Sequence, residues 1–106
     1  MTIKIDINSA KVIKTRPVHQ WDTGVSLQFP STVDSDHYKL HIDQPDGVGE
    51  VIDISLLTAF IPNDYFGSNF DGDVYCHLVK TQGSASETVC DIIIPVIPRQ
   101  NVTMPR

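Results

Sequence analysis

The stretch Val74-Tyr75-Cys76-His77-Leu78-Val79-Lys80 is the clearest signal of fold in this sequence. Its first, third and fifth residues are apolar and lie on one face of an extended chain, because successive side chains of a strand point to opposite faces. A second alternating stretch runs from Thr88 to Ile94, and the polar segment 81–87 separates the two. Two such stretches joined by a short polar turn predict a β-hairpin.

The hairpin register decides which residues meet across the two strands. A turn centred near Gly83–Ser84, with cross-strand partner numbers that sum to about 166, predicts the pairs Val74–Ile92, Cys76–Cys90 and Leu78–Thr88. In this register the two cysteines are close enough to touch. A structural disulfide and two buried reduced thiols both remain open, and we expect reduced thiols because the N-terminus has no secretory signal pattern.

Shorter alternating segments fill the rest of the chain. They are residues 2–7, 12–15, 25–29, 38–42, 51–54 and 57–61. Segment 61–67 combines an early proline, acidic or amide residues and a final glycine, which is typical of a single helical turn. The pattern predicts an all-β fold, an immunoglobulin-like antiparallel β-sandwich with one short helical turn. We expect one domain over residues 1–98 and an extended C-terminal tail over residues 99–106.

Composition excludes several functional classes. The chain has 106 residues, of which 8 are basic and 13 acidic, so its formal net charge is -5. This balance argues against nucleic-acid binding, which needs a basic face. The longest apolar run has six residues and contains Pro95, so we expect no membrane span and no membrane partner. One small core leaves little room for a deep active site, and we expect neither enzymatic activity nor a cofactor.

Catalytic or metal-binding patterns are weak in this sequence. Its four histidines lie on different predicted elements, so nothing makes them converge on a zinc ion. Segment 69–73 resembles the start of a calcium loop but departs from it at Val74 and Lys80. Cys76 and His77 are adjacent and therefore point to opposite faces of a strand, which disfavours a catalytic pair. The sequence assigns no catalytic, cofactor-binding or metal-binding residue.

Four aromatic residues form the candidate interaction surface: Trp21, Tyr65, Phe66 and Phe70. Tyr65, Phe66 and Phe70 cluster around the predicted helical turn, and Trp21 lies shortly before a glycine. Exposed aromatic rings are typical of surfaces that bind a protein or a sugar. The alternative is that these rings cap the open ends of the sandwich.

Three motifs together resemble a known class of module. They are His19-Gln20-Trp21-Asp22-Thr23-Gly24, Ile61-Pro62-Asn63-Asp64-Tyr65-Phe66 and Pro95-Val96-Ile97-Pro98-Arg99. In this order, between alternating strands, they resemble the small β-sandwich modules of tailed-bacteriophage virion proteins from phages of Gram-positive bacteria. Such modules serve as attachment domains of upper-baseplate, tail or head-fibre proteins. The resemblance spans residues 10 to 99.

The resemblance implies a virion structural protein that is made in the host cytoplasm. It would dock to other virion proteins, as an adaptor or decoration subunit, and would form a homo-oligomer. Because the sequence ends seven residues after Arg99, we expect a standalone subunit without a receptor-binding region. The alternative is a carbohydrate-binding β-sandwich for adhesion to the host surface, with Trp21, Tyr65 and Phe66 as stacking rings.

Overall fold

The computed structural model describes residues 1–7, 11–44, 47–67 and 72–99. The strands within these residues are β1 (Thr2–Lys4), β2 (Val12–Lys14), β3 (Val18–His19), β4 (Ser26–Gln28), β5 (Tyr38–Ile42), β6 (Glu50–Asp53), β7 (Thr58–Phe60), β8 (Val74–Gln82), β9 (Ala85–Ile94) and β10 (Val96–Ile97). A 3₁₀ turn spans Asn63–Phe66, inside the segment where the sequence predicts a helical turn. In the described ranges, no helix is long and apolar enough to span a membrane.

The strands form a sandwich around one core, which confirms the predicted all-β class. A five-stranded sheet has the order β2-β9-β8-β5-β6, and a three-stranded sheet has the order β1-β4-β7. Leu27 of the smaller sheet and Leu40 and Ile92 of the larger one are fully buried in the same hydrophobic cluster. Each comes from the apolar face of its strand, so the alternation of the sequence drives the two sheets together.

The sheets are mixed, whereas the alternating pattern of the sequence predicts an antiparallel sandwich. Pairs β1–β4, β2–β9 and β3–β10 are parallel. Parallel strands cannot be joined by a tight hairpin and need a long crossover connection. The short N-terminal strands therefore pair with strands far along the chain, and local turn signals cannot reveal such partners.

Strands β3 and β10 were missing from the predicted elements. They pair over Val18–His19 and Val96–Ile97 and form a separate two-stranded sheet. Beyond β10, the Arg99 backbone N–H donates to the Gln20 side chain at 3.2 Å, and the Arg99 guanidinium donates to the Gln20 carbonyl at 3.0 Å. The rest of the predicted tail, residues 100–106, lies outside the described residues.

The β8–β9 hairpin is present, but its predicted register was wrong by two residues. Its observed pairs include Val74–Ile94, Cys76–Ile92 and Leu78–Cys90. The turn is at Gly83–Ser84 as predicted, and Gly83 adopts a positive φ of 63°. Between Leu78 and Val79 the register shifts, because Cys90 and Thr88 are their partners and Val89 is left over as a β-bulge. A two-residue slip keeps the same face inward, so the predicted buried face is still correct, apart from the exposed Thr88.

Cys76 and Cys90 are diagonal neighbours, and both are buried free thiols. Burial raises the pKa of Cys76 to about 12, with a smaller contribution from the Asp43 charge, and burial also raises the pKa of Cys90.

We predict that both thiols react with a disulfide reagent such as DTNB only when the protein unfolds, since the thiolate is the reactive form. Absorbance at native and denaturing urea concentrations measures this. Fast reaction of the native protein, or a disulfide in the unreduced protein by mass spectrometry, would contradict the prediction.

Candidate interaction surface

Trp21 lies at the end of a turn that is fastened to the 3₁₀ turn. The His19 backbone N–H donates to the Asp22 carboxylate at 3.1 Å, and the Trp21 backbone N–H donates to the Phe66 carbonyl. Trp21 adopts a positive φ of 73°, and its ring lies against Gly67. The Trp21 side chain is half-buried. It therefore covers one end of the sandwich while keeping part of its surface open.

Tyr65 and Phe66 lie in the core, with exposed fractions of 2% and 1%. This corrects the expectation that both rings form an exposed interaction surface. The 3₁₀ turn that carries them closes the sandwich, and two adjacent residues of so short a helical turn both point toward the core. The alternative that aromatic rings cap the sandwich is therefore correct for these two residues. Phe70 lies outside the described residues.

The burial of these rings also bears on the carbohydrate-binding alternative. That hypothesis needs Trp21, Tyr65 and Phe66 as stacking surfaces, because sugar binding requires open ring faces. Of these three rings, only the half-buried Trp21 offers part of a face to solvent.

The Tyr65 hydroxyl is the polar anchor of the 3₁₀ turn. It donates to the Glu50 carboxylate at 2.6 Å and accepts from the Gln44 side chain at 2.8 Å. Burial, followed by the hydrogen bond to Glu50, raises the pKa of Tyr65 to about 12. The hydroxyl therefore stays protonated and donates to the carboxylate, which connects the turn to β6.

Large apolar side chains are exposed on a part of the chain that the sequence analysis did not single out. Between Val48 and Phe60, four such residues are exposed by 55% or more, and Leu56 reaches 92%. The exposure of Phe60 could have been predicted from the sequence, because period-two alternation in segment 57–61 places it on the face opposite to Leu57 and Ala59. Leu56 had little signal, because the two central positions of the turn, Leu56 and Leu57, hold no typical turn residue.

A chain of polar contacts crosses the outer face of the five-stranded sheet. His77 Nδ1 lies 2.7 Å from the Asp91 carboxylate, and His77 Nε2 lies 3.0 Å from the Asp43 carboxylate. Partial burial by itself lowers the pKa of His77, but the hydrogen bonds and charges of Asp91 and Asp43 outweigh it and raise the pKa. In the described ranges, no three His, Cys, Asp or Glu side chains are grouped so that they could hold a metal ion.

Comparison with known proteins yields little. No protein-family model matches the chain, and no curated protein matches it. Among solved structures, the chain is similar to one described as the N-terminal domain of phage TP901-1 ORF48. The sequence identity is 11% and the TM-score is 0.45, over 93% of this chain and 97% of that chain. A likeness at this level supports no conclusion about function or partners.

We predict that Tyr65→Phe lowers the free energy of unfolding by about 1.5–3 kcal/mol, the range for a lost hydrogen bond to a charged group. Urea denaturation measures the change. Tyr75→Phe is the matched control, because Tyr75 is 48% exposed and a surface change stays within about 0.5 kcal/mol. Equal effects of the two substitutions would contradict the role of the Tyr65 hydroxyl.

We also predict that His77 makes stability depend on pH. Its pKa is raised in the folded state, so its stabilising contribution is complete below the unfolded pKa, about 6.5, and is lost as the pH rises through the folded value. His77→Gln should therefore cost more stability at about pH 5.5 than at about pH 8.5. Urea denaturation at both pH values measures this.

His37→Gln serves as the control for this experiment, and the stability that it costs should differ little between the two pH values. His37 pairs with Asp34 at 2.9 Å, but both side chains are about half exposed, and solvent weakens such a pair. A cost of His77→Gln that is the same at both pH values would refute the prediction.

Proposed function

We propose that this protein is a structural protein of a bacteriophage virion. It is a docking, adaptor or decoration subunit in the tail or baseplate or on the head, and it acts by protein–protein contact rather than by catalysis. It is synthesised in the host cytoplasm. Its partners are other virion proteins and further copies of itself. The resemblance of residues 10–99 to phage β-sandwich modules supplies the biological setting, and the exposed apolar side chains within segment 48–60 supply the structural support.

The observation that carries a contact role is the concentration of exposed apolar residues. Eight large hydrophobic side chains are exposed in the described part of the chain, and four of them lie within this one segment: Val48, Val51, Leu56 and Phe60. Single exposed hydrophobic residues are ordinary. Here four of them lie along one stretch of 13 residues, from the approach to β6 through the β6–β7 turn to the end of β7, and we take this side of the sandwich as the one that another protein covers. Burying them at an interface stabilises the complex by about 25 cal/mol per Å² of apolar surface.

The turn between β6 and β7 adds a second sign of a contact role. Ser55 and Thr58 exchange backbone hydrogen bonds of 2.9 and 3.0 Å. Leu56 and Leu57 between them have φ values of 52° and 64°. Two positive φ values define a type I′ turn, which favours Asn-Gly, and a leucine there costs roughly 1–2 kcal/mol. A strained turn that projects Leu56 into solvent fits a residue kept for contact rather than for folding.

We predict that Leu56→Asn raises the free energy of unfolding by about 0.5–1 kcal/mol, since asparagine tolerates a positive φ and the exposed leucine loses little packing. Thermal denaturation measures the gain. Ser84→Asn is the control at the tip of the other hairpin, where the residue in the left-handed region is Gly83, and it should change stability little. A destabilised Leu56→Asn protein would contradict the assignment of strain to this turn.

Purified particles provide the test of the proposed function. We expect quantitative mass spectrometry to find the chain in them in a fixed ratio to the major virion proteins. Leu56→Asn should reduce its incorporation although the protein is more stable, whereas Ser84→Asn should be incorporated normally. Absence of the chain from particles would overturn the proposed function. Normal incorporation of Leu56→Asn would overturn the contact role of the turn.

A further inference from the structure

We infer that copies of this protein associate head to tail, with strand β2 of one copy pairing with strand β6 of the next. The inference rests on the proposed function only for its setting, and it deepens that function by naming one partner, a second copy of this chain. β2 and β6 are the two outer strands of the five-stranded sheet. Within the described ranges, β2 pairs only with β9 and β6 only with β5.

The open edge of β2 presents backbone groups from alternate residues. The Lys11 carbonyl and the Thr15 N–H bond to β9, so the backbone groups of Val12 and Lys14 point away from the sheet. A groove of about 530 Å³ lies between β1 and β2 and is lined by residues of both strands, Lys14 among them. Solvent therefore reaches this edge.

The open edge of β6 follows from the pairing of β5. The backbone N–H of Asp43 bonds to β8, so the odd-numbered residues of β5 face β8 and Leu40 and Ile42 face β6. Their partners are Ile52 and Glu50. The intervening residues of β6, Val51 and Asp53, therefore direct their backbone groups away from the sheet.

The two edges have compatible directions. Along the sheet β2 is parallel to β9, and each later neighbour is antiparallel to the one before. Strand β6 of a second, similarly oriented copy is therefore antiparallel to β2. Setting Val12 opposite Asp53 and Lys14 opposite Val51 brings together the residues with free backbone groups, which supply up to about four hydrogen bonds.

The side chains at this junction also match. A cross-sheet row runs Val12–Asp91–His77–His41–Val51, so the first and last residues lie on the same outer face. Val12 and Val51 are 57% and 55% exposed, and pairing of the edges covers both. Lys14 lies diagonally across from Asp53, within reach of a long side chain, and joins the existing Lys39–Asp53 pair of 2.8 Å.

Charge selects the unlike pair of edges. Residues 1–16 hold four of the eight basic residues and one of the thirteen acidic ones, so this segment carries +3 and the rest of the chain carries -8. Two β2 edges repel each other through Lys11 and Lys14, and two β6 edges repel through Glu50 and Asp53. Attraction remains only between β2 and β6. Such a heterologous contact leaves one free edge at each end and builds rings or filaments instead of a closed dimer.

Sedimentation equilibrium with charge-reversed variants tests the inference. The average mass of the wild-type protein should rise with concentration above the monomer mass of 11.8 kDa, and added salt should weaken this rise. Lys14→Glu and Asp53→Lys should each abolish it, because each places like charges across the junction. An equal mixture of the two variants, and the double variant, should both regain it.

A proline at the edge tests the backbone pairing itself. Val51→Pro removes an N–H that points away from β5, so the fold tolerates it while the added strand loses a donor. We expect loss of association. The control is Thr2→Pro on β1, which also lies at a sheet edge and should associate normally. Circular dichroism tests whether each variant is folded. If Val51→Pro does not fold, the mixture of Lys14→Glu and Asp53→Lys decides the inference.

The outcomes separate this inference from the proposed function. A constant mass of 11.8 kDa at all concentrations overturns the head-to-tail contact, as does association that Lys14→Glu and Val51→Pro leave unchanged. If the protein is incorporated into particles under these results, the proposed function survives without the inference. Charge-dependent association of a protein that is absent from particles supports the inference and overturns the proposed function.

Discussion

The structure depends on the apolar row that crosses the middle of the five-stranded sheet. Leu40, Leu78 and Cys90 pair directly across three neighbouring strands, and each is exposed by 2% or less. They face the smaller sheet, where Leu27 is equally buried. Burial of this row holds the two sheets together, and every other element is positioned by how it closes or extends that arrangement.

The aromatic residues that were predicted to form an interaction surface instead close one end of the sandwich. Tyr65 and Phe66 fill the end of the core, and the Tyr65 hydroxyl fastens the 3₁₀ turn to Glu50. Trp21 then covers Gly67 from outside. Aromatic rings near a helical turn therefore stabilise the fold here, and the exposed apolar surface lies instead on the β6–β7 side, where a strained turn projects Leu56.

The two edges of the larger sheet carry opposite charges. One edge of the larger sheet carries the basic β2 strand and the other carries the acidic β6 strand, with Val12 and Val51 exposed at opposite ends of one cross-sheet row. This polarity follows from topology, since β2 is brought beside β9 by a parallel pairing between residues nearly 80 positions apart. Local sequence patterns contain no information about such a pairing, which is why the edge surfaces could not be predicted.

By itself, the sequence determined the all-β class, most strand positions and the buried face of the β8–β9 hairpin, because side-chain alternation is a local property of extended chain. It also located the turn at Gly83, where a positive φ suits glycine. Only the tertiary structure decided the final register, since alternation does not distinguish registers that differ by two residues and no local pattern marks the bulge at Val89. Strand order and the burial of Tyr65 and Phe66 were likewise decided by contacts between distant residues, which no local pattern specifies.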